Sequence, residues 1–104
     1  MVKILVVDDE ERIRNVIKTY ANNEGYQVIE AKDGFEAVAA VENNDISLII
    51  LDIMMPNLDG FTALKKIKKI KDVPVIILSA RHEEYDKLYG FDLGVDDYVT
   101  KPFH

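Results

Sequence analysis

Asp8 and Asp9 follow the apolar run Ile4-Leu5-Val6-Val7, and Asp52 follows Leu48-Ile49-Ile50-Leu51. Ser79 follows Val75-Ile76-Ile77-Leu78, and Lys101 stands just beyond Tyr98-Val99. If each run is a strand of one open parallel α/β sheet, these residues lie at the carboxyl ends of the strands. Such sheets bind their ligands there, near a topological switch point. Three carboxylates, a hydroxyl and an ammonium then meet on one edge. Crowded carboxylates repel one another and resist ionisation unless a cation sits among them. The donors are oxygens, with no cysteine in the chain and no histidine converging on the edge. That set points to a hard divalent ion such as Mg²⁺, which takes octahedral oxygen coordination and keeps several waters; Mn²⁺ accepts the same oxygens. A backbone carbonyl would complete it. The lysine complements a phosphoryl group rather than the metal, and the whole constellation fits phosphoryl transfer to an aspartate.

The elements that must hold these residues are legible from periodicity. The first, third and fourth runs are continuous, as in strands buried on both faces of a parallel sheet, with Val28-Ile29 and Tyr98-Val99 as shorter companions. Ile13, Val16, Ile17, Tyr20 and Ala21 form an amphipathic helical stripe. Asp9 is expected to cap that helix ahead of Glu10-Glu11, and Gly25 to close it. Phe35, Val38 and Ala39 mark a second helix, Phe61, Leu64 and Ile67 a third begun by Asp59-Gly60, and Tyr85, Leu88 and Leu93 a fourth ended by Gly94. Strand and helix alternate, so right-handed βαβ units should place helices on both faces of the sheet.

Composition removes several classes of function. A chain of 104 residues is one domain, and 48% hydrophobic residues give it a modest core. The net charge of −6 argues against nucleic-acid binding by this piece, and leaves the lysines at 65, 66, 68, 69 and 71 as a solvated helix face. Without cysteine there are no disulfides, thiolate zinc sites or thiol nucleophiles, and His82 and His104 cannot form a metal site by themselves. No apolar stretch approaches the roughly 20 residues of a membrane span, and no cleavable signal pattern opens the chain, so the expected compartment is the cytoplasm.

Four blocks carry a family resemblance over the whole length: Val6-Val7-Asp8-Asp9-Glu10, Leu51 to Gly60, Leu78-Ser79-Ala80-Arg81, and Gly94 to Phe103. In this order and phase they resemble the receiver (response-regulator) domain of two-component signalling. The block Asp96-Asp97-Tyr98-Val99-Thr100-Lys101-Pro102-Phe103 is further similar to the OmpR/PhoB subfamily, whose members usually carry a C-terminal winged-helix DNA-binding domain. The resemblance implies a flavodoxin-like, doubly wound, five-stranded parallel sheet in the order 2-1-3-4-5. It makes Asp52 the phosphoacceptor that attacks the phosphohistidine of a sensor histidine kinase. Asp9, Asp52 and the carbonyl of Met54 would ligate Mg²⁺, with Asp8 assisting directly or through water. Lys101 would pair with the phosphoryl oxygens, aimed inward by a cis Lys101-Pro102 peptide, and Ser79 would donate a hydrogen bond to one of them. Movement of Ser79 would open space for Tyr98 to rotate, altering the surface of the fourth helix and fifth strand. Because Met54 and Arg81 flank the acyl phosphate and neither can orient an attacking water, self-dephosphorylation should be slow.

Simpler readings stand beside these. Asp8-Asp9 alone would be a helix cap, Ser79 a loop-capping residue and Tyr98 a core aromatic. The family pattern continues with a helix that this chain lacks. The chain is therefore expected to be a receiver domain over 1–104, truncated after the fifth strand, with one sheet face partly bare. Homodimerisation through the fourth helix, fifth strand and following helix would need that helix, and DNA would be reached only through an absent output domain. An enzyme alternative is a haloacid-dehalogenase-like phosphatase with an Asp nucleophile, but those place an Asp-x-Asp on the first strand. A non-phosphorylated receiver-shaped interaction module is the third reading.

Overall fold

The computed structural model describes residues 1–55, 57–79 and 84–101. Among them are five strands and four helices in strict alternation: β1 (Lys3–Val7), α1 (Glu11–Asn23), β2 (Gln27–Ala31), α2 (Gly34–Asn43), β3 (Leu48–Leu51), α3 (Gly60–Ile70), β4 (Val75–Ser79), α4 (Glu84–Asp92) and β5 (Asp97–Thr100). The strands form one sheet in the order β2-β1-β3-β4-β5, and every pairing is parallel.

Strand side chains alternate between faces, which divides the apolar residues into two cores. Leu5, Val7, Ile49, Leu51, Val75 and Ile77 point to one side, where Ala37 and Val41 of α2 and Phe61, Leu64 and Ile67 of α3 cover them. Ile4 and Val6 point to the other side, toward Ala21 and Ile17 of α1. The second core is the smaller. Leu48 and Ile50 are only half-buried there, so β3 alternates instead of being covered on both faces as its continuous run suggests. A shallow groove of about 270 Å³ runs along α1, lined by Ile4, Val16, Ile17, Tyr20, Tyr26 and Ile50 among others.

Three local expectations need correction. The N-cap position of α1 is Glu10, not Asp9, and it makes no side-chain cap hydrogen bond. The turn instead closes through Asp8, whose Oδ1 accepts from the Glu10 amide at 2.9 Å. In α2 the buried residues are Gly34, Ala37 and Val41, while Phe35 is 62% exposed and Ala39 faces solvent. The reason is close approach: a Cβ on Gly34 would lie 2.6 Å from the Leu58 carbonyl oxygen, so only small residues fit that seam. In α4, Leu88 is 68% exposed, and Gly90 meets Ile77 and Tyr98 instead; the side chain of Tyr85 lies outside the described residues. Elsewhere the signals hold. Gly25 (φ +85°) ends α1 in a Schellman motif, its amide donating to the Asn22 carbonyl and that of Tyr26 to the Ala21 carbonyl, both at 3.0 Å. Asp59 caps α3 by accepting from the Thr62 amide at 3.1 Å.

Candidate functional site

Strand register brings the site together. Val7 pairs with Leu51, so Asp8 and Asp52, each the next residue, emerge side by side at the carboxyl edge. Leu51 pairs with Ile77 and Ile77 with Tyr98, so Ser79 and Lys101 lie further along the edge than the two aspartates. Lys101 is anchored there by its amide, which donates to the Ser79 carbonyl at 2.8 Å. From that position its side chain returns over the edge. Nζ donates to Asp8 Oδ2 at 2.8 Å and to Asp52 Oδ2 at 3.3 Å, and stands 3.8 Å from Glu10 Oε1.

Asp8 and Asp52 are buried, at 2% and 4% exposure, whereas Asp9 faces solvent. One carboxylate oxygen from each of the three lies within 4.8 Å of the others. That spread, and a donor set made entirely of oxygen, suits a single hard divalent cation reached from the open side at Asp9. Burial pushes the Asp52 carboxyl above the usual 3.8, against the Met54 amide and the Lys101 charge, which favour ionisation, and with the Asp8 charge, which opposes it. Burial works against the Lys101 charge too. The hydrogen bond to Asp8 and the negative charges of Asp52 and Asp8 outweigh it and hold the ammonium above its usual 10.5.

The loop after β3 is fixed by backbone contact. The Met54 amide donates to Asp52 Oδ1 at 2.9 Å, and the Asp52 amide donates to the Val7 carbonyl at 2.9 Å. Gly60 packs so tightly that a Cβ would fall 2.3 Å from Ile53 Cα and 2.6 Å from the Asp52 carbonyl oxygen. Asn57 adopts φ +66°, a conformation that asparagine tolerates better than most residues, and its Nδ2 donates to Asp33 Oδ2 at 3.3 Å. Asp33 uses its other oxygen to accept from the Glu36 amide at 2.8 Å, so one buried carboxylate both caps α2 and grips this loop.

Asp8, Asp9, Asp52 and Lys101 thus gather as their positions after the strands suggest. Ser79 is fully buried at the last position of β4. Tyr98 is buried within the larger core, opposite Ile77. Met54 is half-exposed, with its amide toward Asp52. The Lys101-Pro102 peptide, Arg81, His82 and His104 lie outside the described residues. Two lysines of the basic cluster are engaged away from the edge: Lys68 of α3 donates to the Val73 carbonyl at 2.8 Å, and Lys71, just after α3, bonds Asp45 and the Ile46 carbonyl. Sequence reasoning missed Asp33, Asn57 and Arg14. Asp33 stands just past β2, so the strand-end rule that found the other aspartates would have found it. Arg14, a charged residue beside Ile13 and Ile17 at the margin of the apolar stripe, was a weaker signal.

The family model described as the response regulator receiver domain matches residues 4–104. The chain belongs to the receiver family. Among curated relatives, regulatory protein VanRc of Enterococcus gallinarum is 47% identical over 98% of this chain and 44% of its own length. The transcriptional regulatory protein ResD of Bacillus subtilis (strain 168) is 46% identical over 97% of this chain and 42% of its own. The receiver thus spans less than half the length of the curated relatives it matches. Among solved structures, the receiver domain of the Francisella response regulator 1452 superposes with a TM-score of 0.92 at 42% identity, covering 100% of this chain and 87% of that one. A two-component response regulator from Clostridium difficile gives 0.96 at 28% identity, with 100% and 86% covered. The five-stranded order 2-1-3-4-5 and the receiver assignment both stand on these matches, and they do not favour the phosphatase or the non-phosphorylated module. Among the described residues no helix is long and apolar enough to cross a membrane.

Proposed function

We propose that this receiver takes a phosphoryl group onto Asp52 from the phosphohistidine of a sensor histidine kinase, in the cytoplasm, with Mg²⁺ held by Asp8, Asp9, Asp52 and the Met54 carbonyl. The observation that carries this reading is the meeting of Lys101 Nζ with Asp8 and Asp52 at 2.8 and 3.3 Å, within a three-carboxylate cluster. When bound, the cation neutralises the clustered carboxylates and the charge on the phosphoryl oxygens.

The chain's own residues do the rest. The Met54 amide fixes one Asp52 oxygen and so orients the carboxylate. An Asp52 oxygen forms a bond to phosphorus as the phosphorus–nitrogen bond to the kinase imidazole breaks; the bonding pair leaves with the imidazole nitrogen, which takes a proton from solvent. Lys101 follows the transferred charge, exchanging Asp8 for a phosphoryl oxygen. Ser79 donates its hydroxyl to another, and Tyr98, on the same pair of strands, relays the change to the surface of α4 and β5. Transcription is the proposed output, exerted through a DNA-binding domain joined to the receiver, with dimerisation through α4, β5 and a following helix.

Intact mass after incubation with acetyl phosphate and Mg²⁺ tests the chemistry. One added phosphoryl group is expected, absent without Mg²⁺ and in a folded Asp52→Ala variant. Labelling that persists in Asp52→Ala would remove Asp52 from its role. A folded native chain that takes no phosphoryl group would favour the non-phosphorylated module.

A further inference from the structure

Beside the acidic cluster, one charged side chain reaches the backbone of a clustered aspartate: Arg14. It projects from the first turn of α1 and is only 16% exposed. Its Nη1 donates to the Asp8 carbonyl oxygen at 2.8 Å, and its Nε donates to Glu30 Oε1 at 3.1 Å. Glu30 belongs to β2, and its second oxygen accepts from Lys18 at 3.5 Å. Arg14 therefore ties the turn after β1 to the neighbouring strand.

The Asp8 carbonyl is one end of the Asp8–Asp9 peptide unit, which is planar. Fixing its oxygen fixes the plane, and with it the amide and Cα of Asp9. Asp8 is otherwise held by its amide on the Ala31 carbonyl at 3.1 Å and by its two side-chain oxygens on Glu10 and Lys101. Asp9 is the exposed member of the carboxylate cluster, so the direction in which it leaves the backbone depends on that plane.

We propose that Arg14 is a positioning residue for the cation site: it sets the Asp8–Asp9 peptide so that the Asp9 carboxylate meets those of Asp8 and Asp52. This rests on the reading of these three aspartates as the Mg²⁺ ligands. A guanidinium near a cation site opposes binding by charge alone, so its removal would tighten Mg²⁺ if charge were its role. Positioning predicts the opposite sign.

The test is Mg²⁺ titration by calorimetry on the full chain, with thermal melts to confirm folding. Arg14→Ala is expected to bind Mg²⁺ about ten-fold more weakly, the lower end of what outer-shell partners of metal ligands contribute. Its acetyl-phosphate labelling at saturating Mg²⁺ should return to the native rate. Amide hydrogen exchange at Asp9 and Glu10 should quicken even without metal. Arg14→Lys, which keeps the charge but cannot span both acceptors, should fall between the two. Lys18→Ala, which removes only the outer pair, should bind as the native chain does. Native or tighter affinity in folded Arg14→Ala overturns the proposal, and if that variant does not fold, native affinity in Arg14→Lys does so. A native chain that binds no Mg²⁺ overturns the site reading itself, and this inference with it.

Discussion

Two segments deliver carboxylates to the sheet edge, and they are held by different forces. The turn after β1 is held by charge and polar contact: Arg14 on the Asp8 carbonyl, Lys101 on the Asp8 carboxylate, and Asp8 back onto the Glu10 amide. The loop after β3 has polar ties too, Asn57 to Asp33 and the Met54 amide to Asp52, but adds contact with no room to spare, at Gly60 against Ile53 and Asp52 and at Gly34 against Leu58. Polar partners can be exchanged, whereas a backbone touching a backbone cannot yield. Under the proposed function the first segment would trade Lys101 for a bound cation, while the second would keep Asp52 in place through the exchange.

The largest effect should come from the rigid side. In Gly60→Ala the new methyl would meet backbone atoms at 2.3 and 2.6 Å, so the start of α3 must move away from the loop. A loss of about 4 kcal/mol or more is expected in urea unfolding, together with loss of phosphoryl capture. Gly34→Ala meets the Leu58 carbonyl at 2.6 Å and that residue's side chain at 2.9 Å, and should cost about 1–3 kcal/mol. Native stability in Gly60→Ala would mean that this loop is as compliant as the other.

On the polar side, Lys101→Met strands two buried carboxylates and should cost about 2–4 kcal/mol without metal. The native stabilisation from Lys101 is fully present below pH 10.5 and is lost as pH rises through its higher folded value. Because Mg²⁺ can supply the missing charge, it should raise the Tm of Lys101→Met by more than it raises that of the native chain. An equal rise in both would show that Lys101 and the metal do not compete.

The same contrast explains what the residues disclosed before any coordinates. Asp8, Asp9, Asp52 and Lys101 were legible because each follows an apolar run long enough to be a strand, and strand ends share an edge. The third helix was legible because Phe61, Leu64 and Ile67 are large and all buried. In α2 size is a poor guide to burial, because Phe35 is exposed while Gly34 and Ala37 are buried. There, a close approach at Gly34 reserves the inside for small residues and turns Phe35 outward. The Asp33–Asn57 contact joins residues 24 apart and depends on a left-handed backbone at Asn57, which no periodicity reports. Arg14 escaped because its main acceptor is a carbonyl, and carbonyls carry no signature in sequence.

Asp52 should show the cost of its position directly. Its folded pKa is raised, so its contribution to stability is present below pH 3.8 and is lost as pH rises through the folded value. Above pH 3.8 the folded carboxyl gives up its proton less readily than the unfolded one, and that difference weakens the fold. Asp52→Asn should therefore melt a few degrees above the native chain at pH 7 in the absence of Mg²⁺, with the gap closing toward pH 3.8. A gap that does not depend on pH would place the difference in packing rather than in charge.

The smallest effect separates the two helix starts that flank the segments. Asp59 at the head of α3 accepts from the Thr62 amide at 3.1 Å and from its hydroxyl at 2.9 Å. Its burial pushes the other way, yet these bonds and one from the Phe61 amide hold its carboxyl below 3.8. That stabilisation is present above pH 3.8 and fades as pH falls through the lower folded value, and Asp59→Ala should lose about 1 kcal/mol at neutral pH. Glu10, at the corresponding place before α1, makes no side-chain cap bond. Among the described residues its half-exposed side chain makes only long ion pairs, 3.8 Å to Lys101 and 3.9 Å to Arg12, so Glu10→Ala should cost less than about 0.5 kcal/mol. Equal losses in paired urea titrations would mean that Glu10 shares the Lys101 charge more fully than its exposure suggests. The turn after β1 would then be held by a network of three carboxylates around one ammonium, rather than by Asp8 and Asp52 alone.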